Sequence, residues 1–277
     1  MQYIQYNKNY SSTLINSISY IMCNFNYDYE KYNNNYLNIK YFDINFFNTL
    51  NQEFELFIRY YPNFYIFLLT FFTVVTSDII LLIIFGSRAR WFQLHSFINF
   101  IITLIIIKEY FQIIINPKLG YVIITNHYAS YLILNLHIFH LFTFKNLGLH
   151  DYFHHVLFVG LDVLPTIFYI KTNQCYMGYI PCGGIPGIIE YFILALYKNN
   201  KISLIKQKYI NSLNYNYFRY PLCIIGATYN FINYNNGNLI DNFWMTLYIN
   251  VLLLFNGSLF NFLTLGSYFE KKYNKII

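Results

Sequence analysis

The stretch that decides the fold is residues 150–168, His-Asp-Tyr-Phe-His-His followed by Val-Leu-Phe-Val-Gly-Leu-Asp-Val-Leu-Pro-Thr-Ile-Phe. A polar group of residues opens a run that is otherwise apolar, and a long apolar run is typical of a membrane span. Ionisable side chains are costly to keep in hydrocarbon, so their presence there indicates function. Glu190 lies in the next apolar stretch. We therefore interpret the rest of the chain as the scaffold that brings these groups together.

The composition is that of a membrane protein. Of the 277 residues, 56% are hydrophobic and 11% are charged, whereas soluble domains carry about 25% charged residues. The formal net charge is +6, and most of the excess lies between and after the apolar stretches. Membrane topology explains this charge, so we expect no nucleic-acid partner. The four cysteines form no CxxC motif and no metal-ligand spacing with histidine.

The pattern divides the chain into three regions. Residues 1–61 form an Asn- and Tyr-rich arm that we expect to be partly disordered. Residues 62–270 form a transmembrane helical domain, and residues 271–277 form a short basic cytosolic tail. We predict an all-α polytopic bundle of about seven spans. The predicted spans are 64–86, 91–115, 120–144, 151–170, 176–197, 217–236 and 242–268.

The basic residues predict how the bundle is oriented. One set of loops, together with the tail, carries eleven Lys and Arg residues, among them Arg88, Lys198 and Arg219. The other set of loops carries few Lys and Arg residues. Cytosolic loops of membrane proteins are enriched in these basic residues. We therefore expect the carboxyl terminus in the cytosol and the amino terminus in the lumen.

With this orientation, several ionisable groups within the spans share one depth. At a rise of about 1.5 Å per residue they lie within roughly 5–12 Å of the cytosolic face. These residues are Asp78, His137, His140, His154, His155 and Glu190. Helical positions four and seven apart share a face, which places Asp151, His155 and Asp162 on one stripe. A carboxylate beside an imidazole raises its basicity, which suits such a pair to act as a general base or acyl acceptor.

Glycine and proline interrupt the fifth predicted span. Residues 181–187 read Pro-Cys-Gly-Gly-Ile-Pro-Gly. Small residues let a neighbouring helix approach closely. We therefore predict a close helix contact at Gly183, Gly184 and Gly187.

The polar groups resemble those of the TLC-domain family, which includes ceramide synthases and translocon-associated membrane proteins. The resemblance lies in residues 151–155, Asp-Tyr-Phe-His-His, which open a span shortly after Lys145 and Asn146. It continues in residues 188–191, Ile-Ile-Glu-Tyr, with Lys198 beyond them. Ceramide synthases carry a His-Asp pair and a further Asp before this Glu, where the present chain has the Gly/Pro run described above.

The resemblance implies a TLC-like bundle that acts in lipid metabolism or lipid homeostasis, with acyl transfer to a lipid by the His pair. It implies acyl-CoA as a co-substrate and membrane lipids as partners. We expect no metal ion and no bound cofactor. The tail after Lys271 resembles a dilysine retrieval signal, which favours the endoplasmic reticulum membrane. The candidate catalytic residues are His154, His155, Glu190 and Asp151, which belong to the resemblance, and Asp162, which shares the stripe of Asp151 and His155. A supporting polar layer would consist of Asp78, His137 and His140.

Other functions fit the same residues. The histidines at 154 and 155 suit an interfacial position beside headgroups, and the polar layer suits a non-catalytic lipid-binding, lipid-trafficking or transporter-like protein. A metal-dependent lipid hydroxylase or desaturase is a further alternative, because residues 137–140 and 150–155 resemble two histidine boxes. A third box is missing, since no histidine follows His155. The sequence fixes no oligomeric state.

Overall fold

The computed structural model describes residues 62–124, 127–144, 148 and 155–273. All of them lie in the second of two units of the chain, residues 57–277. Over these ranges the backbone is helical apart from turns and one isolated antiparallel bridge, between Ile123 and Thr172. The predicted all-α class is therefore confirmed for this part of the chain. The predicted disorder of the amino-terminal arm concerns residues outside the described ranges.

The helices follow one another with short connections. In chain order they are α1 Pro62–Phe85, α2 Arg90–Ile115, α3 Tyr128–Thr143, α4 Leu164–Tyr169, α5 Tyr176–Cys182, α6 Ile185–Lys198, α7 Leu204–Asn214, α8 Tyr220–Asn235 and α9 Phe243–Tyr273. Two π-helical segments join this series. The first, His155–Val163, runs into α4, and the second, Tyr215–Arg219, joins α7 to α8.

Four helical segments are long and apolar enough to cross a membrane. They are Asn63–Phe85, Arg90–Ile115, Asn173–Lys198 and Phe243–Tyr273, and they coincide with the first, second, fifth and seventh predicted spans. The other three predicted spans contain α3, the first π-helical segment with α4, and α8. The four long apolar helices are compatible with an integral, multi-pass membrane protein.

The largest apolar core lies where α1, α2, α3 and α5 meet. Val74, Ile98, Ile106 and Met177 in this core have no exposed surface. Helix α2 packs along α6, α1 along α3, and α8 along α9. These pairings leave space between the α2–α6 pair, α3 and α9, and that space holds the site described below.

The fifth predicted span is interrupted between α5 and α6. Pro181 lies inside the last turn of α5, and Pro186 lies in the first turn of α6, where a missing N–H is tolerated. A Cβ atom on Gly184 would lie 2.6 Å from the carbonyl oxygen of Ile180. Only glycine fits at this position, so the interruption is specified by the sequence.

Helix α6 approaches α2 closely at Gly187. A Cβ atom there would lie 2.7 Å from Nδ2 of Asn99 on α2. Nearby, the Ser96 hydroxyl donates to the carbonyl oxygen of Ile188 at 3.2 Å. The predicted close approach of a helix to this glycine-containing segment is thus confirmed at Gly187.

Asp241 joins the turn after α8 to the turn before α5. Its carboxylate accepts hydrogen bonds from the backbone N–H groups of Lys171 at 2.6 Å and Thr172 at 3.2 Å. The Thr172 hydroxyl and the Gln174 amide, at 2.8 Å for the latter, also donate to it. Because Asp241 is buried, these four donors replace the hydration that the carboxylate has lost.

Candidate functional site

One cavity of about 410 Å³ collects much of the predicted polar layer. This volume is within the range of roughly 300–1,000 Å³ that is typical of small-molecule sites. The apolar part of its wall includes Val159, Val163, Ile249 and Leu253. The polar part consists of a histidine cluster and a charged wall, which come from different helices. The cavity is therefore lined by both kinds of surface that an amphipathic ligand contacts.

Four histidines from α2, α3 and the first π-helical segment form the histidine cluster. His95, His137 and His155 line the cavity. The ring centroids of His137 and His155 are 4.9 Å apart, and those of His95 and His137 are 5.5 Å apart. His140, one turn beyond His137, lies 4.7 Å from His155 and 5.4 Å from His95. The four imidazoles thus form a closed ring of contacts.

Neighbouring groups fix how the cluster is oriented. Nδ1 of His137 lies 2.7 Å from the carbonyl oxygen of Ile133. Since a carbonyl oxygen only accepts, Nδ1 carries the proton and neutral His137 keeps Nε2 as an acceptor. The ring centroids of Trp91 and His140 are 3.5 Å apart. Both nitrogens of His140 lack a hydrogen-bond partner among the described residues.

Glu190, Tyr215, Arg219 and Asn256 form the charged wall, and all four line the cavity. The Tyr215 hydroxyl donates to Oε2 of Glu190 at 2.5 Å. Nη1 of Arg219 lies 3.4 Å from the same oxygen and 2.7 Å from the Tyr215 hydroxyl, while Nη2 donates to Oδ1 of Asn256 at 2.8 Å. The guanidinium carbon lies 4.7 Å and 5.1 Å from the ring centroids of Tyr215 and Phe260. The wall is therefore held firmly, and its two charges balance.

The assignment of Arg219 to a cytosolic loop is wrong. This residue lies in the second π-helical segment and is only 5% exposed. A buried cation is tolerated when an anion and hydrogen bonds compensate it, and Glu190, Tyr215 and Asn256 supply them here. Its charge therefore belongs to the cavity and is no signal of topology.

The predicted carboxylates fall in different places. Asp162 lines the cavity with His155 and Glu190. Asp78 is not among the lining residues; it forms an ion pair with Arg90, whose Nε donates to Oδ1 at 2.8 Å and whose Nη2 contacts Oδ2. The Asp78 side chain is buried and its ion pair joins α1 to α2, while its role in a supporting polar layer stays a prediction.

Two predicted catalytic residues, Asp151 and His154, lie outside the described residues. The stripe predicted from α-helical spacing does not apply to His155 and Asp162, because residues 155–163 are π-helical and bond from i to i+5. Both side chains line the same cavity nonetheless. Their catalytic roles stay a prediction.

Several site residues escaped the sequence reasoning. His95 lies in the second predicted span, and an ionisable side chain within a span indicates function there as it does for His137. Arg219 lies within the predicted sixth span, but its basic neighbours led to its being counted with a loop. Tyr215 and Asn256 carried no signal, because tyrosine and asparagine recur along the whole chain.

Within the described ranges, no group of three or more His, Cys, Asp or Glu side chains is placed to hold a metal ion. The metal hypothesis also involves residues 150 and 154, which lie outside those ranges. It stays a prediction.

No family model, curated protein or solved structure matches the chain. The TLC-like resemblance is therefore carried by the quoted residues alone. The function has to be argued from the cavity and the groups that line it.

Proposed function

We propose that this chain is a membrane enzyme of lipid metabolism that transfers an acyl group from an acyl thioester to a lipid acceptor inside the cavity. The observation that carries the proposal is that His155 and Glu190 line one cavity together with apolar walls. The resemblance to the TLC-domain family supports it. The resemblance implies acyl-CoA as the thioester, and the sequence favours about seven spans and the endoplasmic reticulum as the membrane.

The mixed lining of the cavity suits an amphipathic substrate. Val159, Val163, Ile249 and Leu253 offer surface for an acyl chain, while the histidine cluster and the charged wall offer hydrogen-bonding groups. Ligand sites of this kind combine a largely apolar lining with a few placed polar groups that fix the reactive end. A lipid acceptor and an acyl thioester each have an apolar chain and a polar reactive end, which match these two parts of the lining.

His155 is the proposed general base. It takes the proton from the acceptor while the acceptor attacks the thioester carbonyl carbon, and a tetrahedral intermediate forms. The carbon–sulfur bond then breaks, and His155 returns the proton to the departing thiolate. The acceptor has gained the acyl group, the donor leaves as a free thiol, and the base is restored. His137 and His140 position His155, since both rings contact it.

The test is acyl transfer by the purified protein in liposomes, with a radiolabelled acyl-CoA and a mixture of long-chain alcohols, monoacylglycerols and long-chain amines. Because a general base contributes typically 10²–10⁴-fold, His155→Asn should lower the rate by at least about 100-fold. The matched control is His127→Asn. His127 precedes α3 and does not line the cavity, so this variant should keep the wild-type rate.

Two outcomes would decide against the proposal. A wild-type rate in the His155→Asn variant would exclude His155 as the base. Absence of transfer by a protein that still binds lipid in the cavity would favour the non-catalytic lipid-binding alternative, for which the same cavity is suited.

A further inference from the structure

We infer that the acyl acceptor is a neutral lipid with a free hydroxyl group, and that Glu190 and Asn256 hold this hydroxyl. The inference rests on the proposed function, because it names the acceptor for the transfer in the same cavity. It comes from the hydrogen-bonding capacity that the charged wall leaves unused.

Glu190 offers the cavity one acceptor atom. Its Oε2 is occupied by the Tyr215 hydroxyl and by Nη1 of Arg219. Its Oε1 takes part in no hydrogen bond with a described residue. The side chain is 19% exposed and lines the cavity, so Oε1 is open to a ligand.

Asn256 offers one donor. Its Oδ1 accepts from Nη2 of Arg219 at 2.8 Å and faces the thiol of Cys182 at 3.6 Å. Two donors at this atom fix the orientation of the amide, so its Nδ2 must point elsewhere. Nδ2 has no partner in the described part of the chain, although the residue is 5% exposed and lines the cavity. A donor on a residue so little exposed needs a partner, and a ligand in the cavity can supply it.

The residues that carry the donor and the acceptor are held by the same side chain. Glu190 and Asn256 contact the two terminal nitrogens of one guanidinium group, that of Arg219. The rings of Tyr215 and Phe260 hold this guanidinium from two sides. Glu190 and Asn256 are therefore held in place before any ligand arrives, which lowers the cost of binding.

A hydroxyl group matches this pair, because it donates one O–H bond and accepts one N–H bond through the same oxygen. An ammonium group has no lone pair for the Asn256 amide, and a carboxylate has no hydrogen for Glu190. The charges at this wall also favour a neutral headgroup. Glu190 and Arg219 already balance each other, so a charged headgroup at this wall finds no uncompensated partner.

With a hydroxyl acceptor, the proposed reaction is ester formation. The hydroxyl oxygen bonds to the thioester carbonyl carbon, its proton passes to His155, and the thiolate leaves and regains that proton. One alcohol and one thioester give one ester and one thiol. Glu190 accepts this hydrogen in the bound state, the O–H bond then turns from Glu190 to His155 as the oxygen attacks, and Glu190 undergoes no net change.

Competition binding on the full chain in lipid nanodiscs tests the inference. The probe is a diazirine-bearing hexadecanol, and the competitors are hexadecanol, hexadecylamine and hexadecanoate, which differ only in the headgroup. Hexadecanol should displace the probe at about tenfold lower concentration than either charged competitor. Stronger displacement by the amine would overturn the inference in favour of a cationic ligand at Glu190 or Asp162. Stronger displacement by the acid would overturn it in favour of an anion at Arg219, and a probe that none displaces would also refute it.

The Asn256→Asp substitution removes the N–H donor of residue 256 and keeps its acceptor oxygen. The carboxylate still accepts from Arg219 but has no N–H group, so hexadecanol should bind about tenfold more weakly, which corresponds to about 1.4 kcal/mol. The amine should gain affinity, because the new charge is not balanced. Asn250→Asp is the matched control, since Asn250 lies on the same helix, is 4% exposed and does not line the cavity. Equal effects of the two substitutions would contradict the assignment of Asn256.

The two proposals fail separately. Transfer to an amine that depends on His155, without transfer to an alcohol, would refute the hydroxyl inference and leave the acyltransferase proposal standing. Selective binding of hexadecanol without transfer to any acceptor would refute the enzyme proposal and leave a hydroxyl-specific lipid site.

Discussion

Replacing Gly187 with alanine tests the contact between α2 and α6 that shapes one side of the cavity. The added Cβ atom would lie 2.7 Å from Nδ2 and 3.5 Å from Cγ of Asn99. Real Cβ atoms essentially never come within 3.0 Å of another heavy atom. Either the Asn99 side chain turns further into the cavity or α6 moves away from α2.

The expected effect is the difference between two opposing contributions. Overpacking of a filled interior costs about 1–3 kcal/mol. Alanine in place of glycine within a helix returns about 0.8–1.0 kcal/mol. We therefore expect Gly187→Ala to lower the free energy of unfolding by about 1 kcal/mol. Asn99→Ala should remove most of this loss, because the clashing atoms belong to the Asn99 amide.

The assay is a double-mutant cycle on the free energy of unfolding, measured by denaturant titration in detergent micelles. Gly183→Ala is the control, because its Cβ atom would lie 3.5 Å from Oδ1 of Asn99, which is an ordinary contact. This variant should lose less than about 0.5 kcal/mol. The reasoning is refuted if Gly187→Ala costs the same with and without the Asn99 side chain.

Three further predictions concern stability and topology. Asp241→Ala leaves four donors without their acceptor, so it should lower the free energy of unfolding by at least about 3 kcal/mol. The control is Glu270→Ala on the exposed end of α9, which should lower it by less than about 0.5 kcal/mol. Asp78→Ala leaves Arg90 without its carboxylate and should lower the melting temperature in detergent; adding Arg90→Met should recover most of the loss if the unpaired charge is the cause. A tag after residue 277 should be accessible to protease from the cytosolic side of sealed microsomes, and full protection would contradict the orientation drawn from the basic residues.

Depth within a span could be predicted from the sequence, whereas the direction of a side chain could not. Counting residues from the predicted span ends placed His137, His155 and Glu190 in one layer, and all three line the cavity. The same count included Asp78, which points to Arg90. Apolar residues cover nearly the whole circumference of α1 and α3, so no hydrophobic stripe shows which side of these two helices faces the cavity.

The π-helical segments explain why the sequence could not show which side chains share a face. Residues 155–163 and 215–219 carry His155, Asp162, Tyr215 and Arg219. A π-helix differs from an α-helix by one residue in its hydrogen-bond step, and the apolar pattern of a span does not record that difference. α-Helical spacing is therefore no valid basis for face assignments in these segments, although His155 and Asp162 do line one cavity; π-helices are frequent at functional sites.

The pairing of Glu190 with Arg219 has a consequence for the synthesis of the chain. The two residues are separated by 29 positions, and at about 5–20 residues per second the ribosome needs roughly 1.5–6 s to add that many. Glu190 therefore reaches the insertion machinery earlier than Arg219 by the same interval. A lone carboxylate resists transfer into the bilayer. Lateral release of this segment from the insertion machinery should therefore be delayed until Arg219 follows and can pair with Glu190.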